Sequence, residues 1–246
     1  MPSIRLYTEV ELFSGASVAL GHQQSHYINN VMRQKAGNFI RLFNGVNGEW
    51  RGQIKEFGRG WCNILVLECT KKLTASADVW LLFAPVKKTR IDFIASKSTE
   101  LGASAIQPVF TKFTRVGRVN IDRLKSNAIE AAEQCGALVI PEVRETENLS
   151  QLINIWPGER QLLVCDNRIG RPPILNALKN VKEGGSWAIL VGPEGGFSDC
   201  ELDQIQQKAN PVFVSLGPRI LRADTAVVAA LTCWQSVLGD WAYNIQ

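Results

Sequence analysis

The 246-residue chain has no C-x-x-C pair, only two histidines, and no apolar run reaching the ~18–20 residues that a membrane-spanning helix needs. Each absence removes a class of function. Cys62, Cys69, Cys135, Cys165, Cys200 and Cys233 are scattered, so zinc-ribbon and thioredoxin-like readings fail on spacing. His22 and His26 stand close together without a partner cluster, and no metal site is expected. The thiols read as reduced, small hydrophobic residues. The first residues, MPSIRLYTEV, lack the charged and apolar regions of a secretory signal, so a cytoplasmic location is the expectation. No internal repeat and no low-complexity tract is visible.

What is present is the composition of a globular protein, 46% hydrophobic and 20% charged. The net charge of +4 is unevenly spread. Residues 1–73 hold nine Lys/Arg against five Asp/Glu, and residues 74–246 hold eighteen of each. The excess therefore lies wholly in the first third. It fits an anionic partner such as nucleic acid, and it fits a solvated lysine-rich surface equally well.

The hydrophobic pattern also changes along the chain. FIRLFNGVNGEWRGQI alternates around Asn44-Gly45 and Asn47-Gly48, a hairpin signal, and WCNILVLECT (61–70) adds a strand. SHYINNVMRQKAG (25–37) predicts one helix closed by Gly37. These elements make a small β-barrel-like domain over 1–73, with a boundary in KKLTASAD (71–78). Beyond it, VWLLFAPV (79–86) predicts a strand buried on both faces. A helix follows with Ile91, Ile94 and Leu101 aligned, stopping at Gly102. AIQPVFT is a short strand. DRLKSNAIEAAEQCG is a helix with Leu124, Ala128, Ala131 and Cys135 on one face. RQLLVCD, SWAILVG and PVFVSLG are further buried strands. The alternation predicts an α/β domain over 74–246 with a mainly parallel sheet.

Two strands end alike. WAILVG-PEGGFSDCEL and VFVSLG-PRILRADTA each pass through Gly-Pro into a loop and then a helix. Ser198 and Glu201 form a capping-box pattern that starts the first of these helices. Gly192, Gly195 and Gly196 allow a ligand to approach backbone, and loops at the carboxyl ends of parallel strands are where α/β sheets bind small molecules. GPEGGF has neither the Lys-Ser/Thr of a phosphate loop nor the spacing of a dinucleotide fingerprint. Two plain tight turns would explain either loop taken alone.

LVGPEGGFSDCEL and SLGPRILRADTA together resemble the signature loops of the bacterial 16S ribosomal RNA (uracil-N3) methyltransferases, of the SPOUT superfamily. SHYINNVMRQKAGNFIRLFNGVNGEW is similar to that family's N-terminal PUA-like RNA-binding domain. KKTRIDFIASKSTELGASAIQPVFT and IEAAEQCG are similar to its central segments. The resemblance covers nearly the whole chain. It implies a trefoil-knotted methyltransferase domain, S-adenosylmethionine as donor, 16S rRNA of the small subunit as substrate, and a homodimer with the active site at the subunit interface. The chain departs from the family at Ala223-Asp224-Thr225, where relatives usually carry Thr-Glu-Thr, and at Ala137, where they usually carry arginine.

Methylation at N3 of uracil requires loss of the N3 proton while charge builds on the flanking carbonyl oxygens, so a base and cationic donors must both be near. On the resemblance, Arg219 and Arg222 take the cationic role or hold an adjacent phosphate. Asp224 is a base, an arginine-orienting group, or the N-cap of a helix beginning at Thr225. Glu194 is a second carboxylate, or a charge favoured near a helix N-terminus. The donor is expected against three strand ends. The first is Val164-Cys165. The second is Val191, Gly192, Pro193, Gly195 and Gly196. The third is Leu216, Gly217, Ile220 and Leu221. Arg5, Arg33, Lys35, Arg41 and Arg51 are the expected phosphate contacts of the first domain. Two other readings remain: a ribose 2′-hydroxyl methyltransferase on the same fold, and an RNA-binding protein with no donor pocket.

Overall fold

The computed structural model describes residues 4–74, 76–86, 88–181 and 184–242. Internal contacts divide the chain into two units, Met1–Ala75 with Ala132–Ile140, and Ser76–Ala131 with Pro141–Gln246. The composition change at 71–78, in which Ala75 lies outside the described residues, falls at this division. That the first unit also takes 132–140 is not visible in the pattern.

The first unit contains β1 (Arg5–Tyr7), β2 (Ser17–Leu20), α1 (His22–His26), β3 (Phe39–Phe43), β4 (Glu49–Gly58) and β5 (Trp61–Lys71). They form one sheet in the order β1-β3-β4-β5-β2, with β1 parallel to β3 and the other pairs antiparallel. Asn44 builds the β3–β4 turn: its Oδ1 accepts from the Val46 and Asn47 N–H groups at 3.0 and 2.8 Å. Gly48, at φ 83°, closes that turn where a Cβ would stand 2.2 Å from the Lys71 carbonyl oxygen. The helix expected over 25–37 is instead α1 continued by a π-helical turn over Tyr27–Val31. Arg33 then takes a positive φ of 53°, which breaks the helix. Gly37 opens the next strand, donating to Ile54 O at 2.7 Å, and caps nothing.

Glu49, fully buried, anchors this unit. Its carboxylate accepts from Arg5 Nε, from Arg41 Nη1 at 3.0 Å and from Thr70 Oγ1 at 3.0 Å. Burial alone would raise its pKa. The bonds from Arg5 and Thr70 and the charges of Arg5 and Arg41 outweigh burial and hold it below the ordinary carboxylate value.

The second unit begins with β6 (Val79–Phe83), α2 (Lys88–Glu100), β7 (Ala105–Phe110) and α3 (Ile121–Cys135), whose last residues count with the first unit. Then come β8 (Glu142–Val143), β9 (Glu147–Asn148), α4 (Leu149–Asn154), β10 (Gln161–Cys165) and α5 (Ile174–Leu178). β11 (Trp187–Val191), α6 (Asp199–Lys208), β12 (Val212–Val214) and α7 (Ala223–Val237) complete it. Every strand pair is parallel, in the order β12-β10-β11-β6-β7-β8, with β9 on β7. Period-two alternation sends Leu81, Phe83, Leu163, Ile189 and Val191 into one core with α2, α5 and α7. It sends Leu82, Leu162, Val164, Ala188 and Leu190 into the other, with α4 and α6. The strands read as unbroken apolar runs because both faces are covered. On α3, Leu124, Ala128 and Ala131 are buried as expected, but Cys135 is exposed. The buried residues of α3 end at Ala132, in the last turn, where the Ala132 and Glu133 carbonyls accept from Arg5.

A group whose folded pKa is depressed contributes stability that is fully present above its unfolded value, about 4.3 for glutamate, and lost as pH falls through the folded value. Resistance of the protein to urea unfolding is therefore expected to fall progressively below about pH 4.3. Glu49→Gln should flatten that dependence and, at pH 7, cost about 3–5 kcal/mol, because buried Arg5 loses its counter-charge.

Candidate active site

β10, β11 and β12 are neighbours, so the loops leaving their carboxyl ends are gathered at one edge of the second unit. Hydrogen bonds extend the pairing beyond the strands. Asp166 N–H donates to Val214 O at 2.9 Å, Ser215 N–H to Pro172 O at 2.8 Å, and Ile174 N–H to Ser215 O at 3.1 Å. The three loops enclose a small cleft of about 70 Å³, open to solvent.

Cys165, Val191, Gly192, Pro193, Gly196, Leu216, Gly217, Ile220 and Leu221 all line this cleft, as do Arg219 and Glu194. Val164 does not, because alternation turns it into the core on the opposite face. Gly195 faces a second, neighbouring groove. Arg222 and Asp224 lie just beyond the lining. Arg222 is the exposed N-cap of α7, and Asp224 sits in the first turn with its Oδ1 accepting from Thr225 N–H at 3.0 Å. The helix thus starts at Ala223, so Asp224 is not its N-cap. Arg219 and Arg222 carry no ion pair among the described residues.

The wall is built for contact with backbone. Gly196 and Gly217 have φ values of 69° and 111°, and a Cβ at either would project into open space before the loop. Gly192 lets the Phe197 ring fold beneath it, since a Cβ there would stand 2.8 Å from the ring. Burial, and then the neighbouring Cys233, push the Cys165 thiol up to about 12. It stays protonated and presents an apolar surface. Sequence reading missed Asp166, Asn167, Ala223 and Ala226 in the lining. Asp166 is buried and accepts from Arg171 Nε at 2.8 Å.

The capping box at α6 forms as expected: Ser198 N–H donates to Glu201 Oε2 at 2.8 Å, and Glu201 N–H to Ser198 Oγ at 3.4 Å. The other carboxylate oxygen does something the sequence does not reveal. Glu201 Oε1 accepts from Lys112 N–H at 2.7 Å, tying the β7–α3 loop to the start of α6. Across that tie lies a broader groove of about 710 Å³, lined by Arg90, Lys112, Phe113 and Arg115 among others. It shares Pro193 and Glu194 with the cleft. Arg90 Nη1 donates to Glu194 Oε1 at 3.1 Å. The run TKFTR after β7, basic with an aromatic at a strand's carboxyl end, was the available signal for this groove.

On the first unit the expected phosphate contacts separate. Arg33 and Lys35 are exposed. Arg51 is exposed, pairs with Glu68 at 3.2 Å, and lies over the Phe39 ring at 5.1 Å. Arg41 is half-exposed and shares Glu49. Arg5 turns inward: only 9% of its side chain is exposed, and it donates to Glu49 and to the Ala132, Glu133 and Ala137 carbonyls. A cation at a helix C-terminus satisfies carbonyls that have no partner within the helix. Glu133 accepts from Tyr7 N–H at 2.9 Å, in the same unit. Among the described residues no group of three His, Cys, Asp or Glu is placed to hold a metal, and no helix is long and apolar enough to cross a membrane.

Fold and cleft describe an α/β protein with an open cleft at the carboxyl ends of three adjacent strands, beside a basic groove. Residues 74–235 match the RNA methyltransferase domain and residues 20–64 the RNA methyltransferase PUA domain. The chain belongs to the RNA methyltransferase family. It is similar to the ribosomal RNA small subunit methyltransferase E of Synechocystis, 32% identical over 92% of this chain and 75% of that protein. The protein of the same name from Rickettsia conorii is 28% identical over 92% of this chain and 93% of its own. Among solved structures, a Legionella pneumophila methyltransferase with bound S-adenosylmethionine superposes with a TM-score of 0.87 at 27% identity, covering 98% of this chain and 100% of that one. The small subunit methyltransferase E of Neisseria gonorrhoeae, bound to S-adenosylmethionine, does so at 0.86 and 28% identity, over 97% and 99%.

Replacing Glu201 with alanine removes both the cap and the tie. The variant is expected to lose about 1–2 kcal/mol of stability. Hydrogen exchange should speed up at the Lys112 and Ser198 amides together; acceleration at Ser198 alone would show that the β7–α3 loop is held by something else.

Proposed function

We propose that this protein transfers the methyl group of S-adenosylmethionine to N3 of a uridine in the 16S rRNA of the small ribosomal subunit, acting in the cytoplasm as a homodimer. The observation that carries this reading is the cleft at the ends of β10, β11 and β12. Its wall of glycine-backed loops is topped by Arg219, unpaired among the described residues, with Arg222 beside it. The names of the similar proteins and the donor bound in two similar structures support it. The trefoil knot belongs to the same reading.

The residues fit the donor. Leu216, Ile220 and Leu221 offer apolar surface for adenine, while Gly192, Gly196 and Gly217 leave main-chain polar groups reachable. When bound, S-adenosylmethionine supplies an electrophilic methyl group. The protein must do the rest. It must remove the proton on N3, steady the charge that spreads over the two flanking carbonyl oxygens, and hold the nitrogen in line. Arg219 and Arg222 are the cations for those oxygens or for the adjoining phosphate. Glu194 and Asp224 are the two carboxylates this reading offers to take the proton. Glu194 is compensated by Arg90, while Asp224 keeps Oδ2 free of hydrogen bonds among the described residues. On the first unit, Arg33, Lys35, Arg51 and Arg41 form the group that meets phosphate, whereas Arg5 serves the interior.

The test is methyl transfer from S-adenosylmethionine to unmodified small subunits, read as 3-methyluridine by mass spectrometry of the digested rRNA. A 2′-O-methylated product, or no donor binding by titration calorimetry, would remove this reading. Arg222→Ala should lower turnover by about 10²-fold or more while the circular dichroism spectrum is unchanged; wild-type turnover would take Arg222 out of the mechanism. Sedimentation should report a dimer. RNA affinity should fall steeply with salt, and a flat response would exclude phosphate tracking.

A further inference from the structure

The turn Thr111–Thr114 presents an aromatic ring where the fold alone does not need one. Thr111 N–H donates to Thr114 Oγ1 at 2.9 Å, Thr114 N–H donates to Thr111 O at 3.1 Å, and the two hydroxyls lie 2.9 Å apart. Lys112 and Phe113 stand at the tip of this clasp. Its base is held by the Lys112 amide on Glu201. Phe113 is 43% exposed. Its inner side rests on the Gly195 backbone, where a Cβ would stand 3.3 Å from Phe113 Cβ and 3.6 Å from Cγ. The ring is thus fixed on a braced turn against the loop that separates the cleft from the groove.

Its surroundings say what it meets. The groove carries three cations, Arg90, Lys112 and Arg115, against one carboxylate, Glu194, which Arg90 already compensates. Lys112 and Arg115 have no ion pair among the described residues. A flat exposed ring beside cations without ion pairs, with Lys112 Nζ over it at 5.9 Å from its centroid, suits a ligand that alternates flat rings with negative charges. Single-stranded nucleic acid has that chemistry. A base whose ring nitrogen is to be modified must also leave its stack and be held by its face.

We propose that Phe113 is a stacking platform for a nucleobase of the substrate RNA, with the flanking phosphates on Lys112 and Arg115. This rests on the RNA-methylating reading of the neighbouring cleft, but its readout does not require methyl transfer. The probe is a single-stranded uridine-rich RNA carrying one 2-aminopurine, whose fluorescence is quenched on stacking. The wild-type protein should quench it. Phe113→Leu, which keeps apolar packing on Gly195 without a π-face, should lose the quenching and weaken binding between about 5-fold and 150-fold, equivalent to the about 1–3 kcal/mol of a base–aromatic stack. Phe113→Tyr and Phe113→Trp should retain both. Lys112→Ala with Arg115→Ala should reduce the salt dependence and leave quenching at saturation intact. Donor binding and melting temperature should be unchanged in the Phe113 variants. Quenching and affinity equal to wild type in Phe113→Leu would overturn the assignment. So would a changed sedimentation coefficient at unchanged RNA affinity, which would make the ring a subunit contact. If wild-type protein quenches the probe yet leaves small subunits without 3-methyluridine, the stacking stands and the activity reading fails.

Discussion

Placement of β10 between β12 and β11 is the constraint on which the catalytic unit depends. Parallel strands require long crossovers, so three strands that are neighbours in the sheet need not be consecutive in the chain. Here their carboxyl ends lie side by side, and so do three loops of quite different sequence. Asp166, Ser215 and Ile174 continue the pairing past the strands with main-chain hydrogen bonds. The cleft is therefore a consequence of sheet register, and glycine is used where the loops turn so that backbone, not side chain, faces the opening.

Two carboxylates then fix what the sheet alone leaves free. Glu201 divides its oxygens between its own helix cap and the Lys112 amide, so a local stop signal also positions a distant loop. Glu49 draws two arginines and a threonine into the first unit, and Arg5 extends the network to carbonyls near the end of α3. In both cases a side chain that looks ordinary in sequence acts because it has two acceptor oxygens and is placed where two sets of donors converge.

The arrangement divides the labour of a methyl-transferring site in a recognisable way. The cleft wall is apolar and main-chain in character, with Cys165 held protonated by burial. The cations stand at the rim and in the adjoining groove. Glu194 lies on the boundary of both spaces, compensated from the groove side by Arg90.

Much of this was legible in the chain. Continuous apolar runs announced the buried parallel strands, Asn-Gly pairs the hairpin, Ser198 and Glu201 the helix start, and the two Gly-Pro loops the cleft. Other features were not. The helix near residue 30 ends early because Arg33 takes a positive φ, which its identity does not signal. Strands of two residues, such as Glu142–Val143, are too short to show a period. That the Val164 side chain faces the core while Cys165 faces the cleft was not legible, because a run buried on both faces does not say which residue faces which way. Arg5 resembled its exposed neighbours, yet lies inward against carbonyls more than a hundred residues away. The sequence by itself determined the longer strands and helices, their order and the loops that form the cleft, since these follow from local pattern. Only the tertiary structure decided which charges are free and which are spent, and that Phe113 stands fixed on Gly195, because partners distant along the chain are chosen by packing.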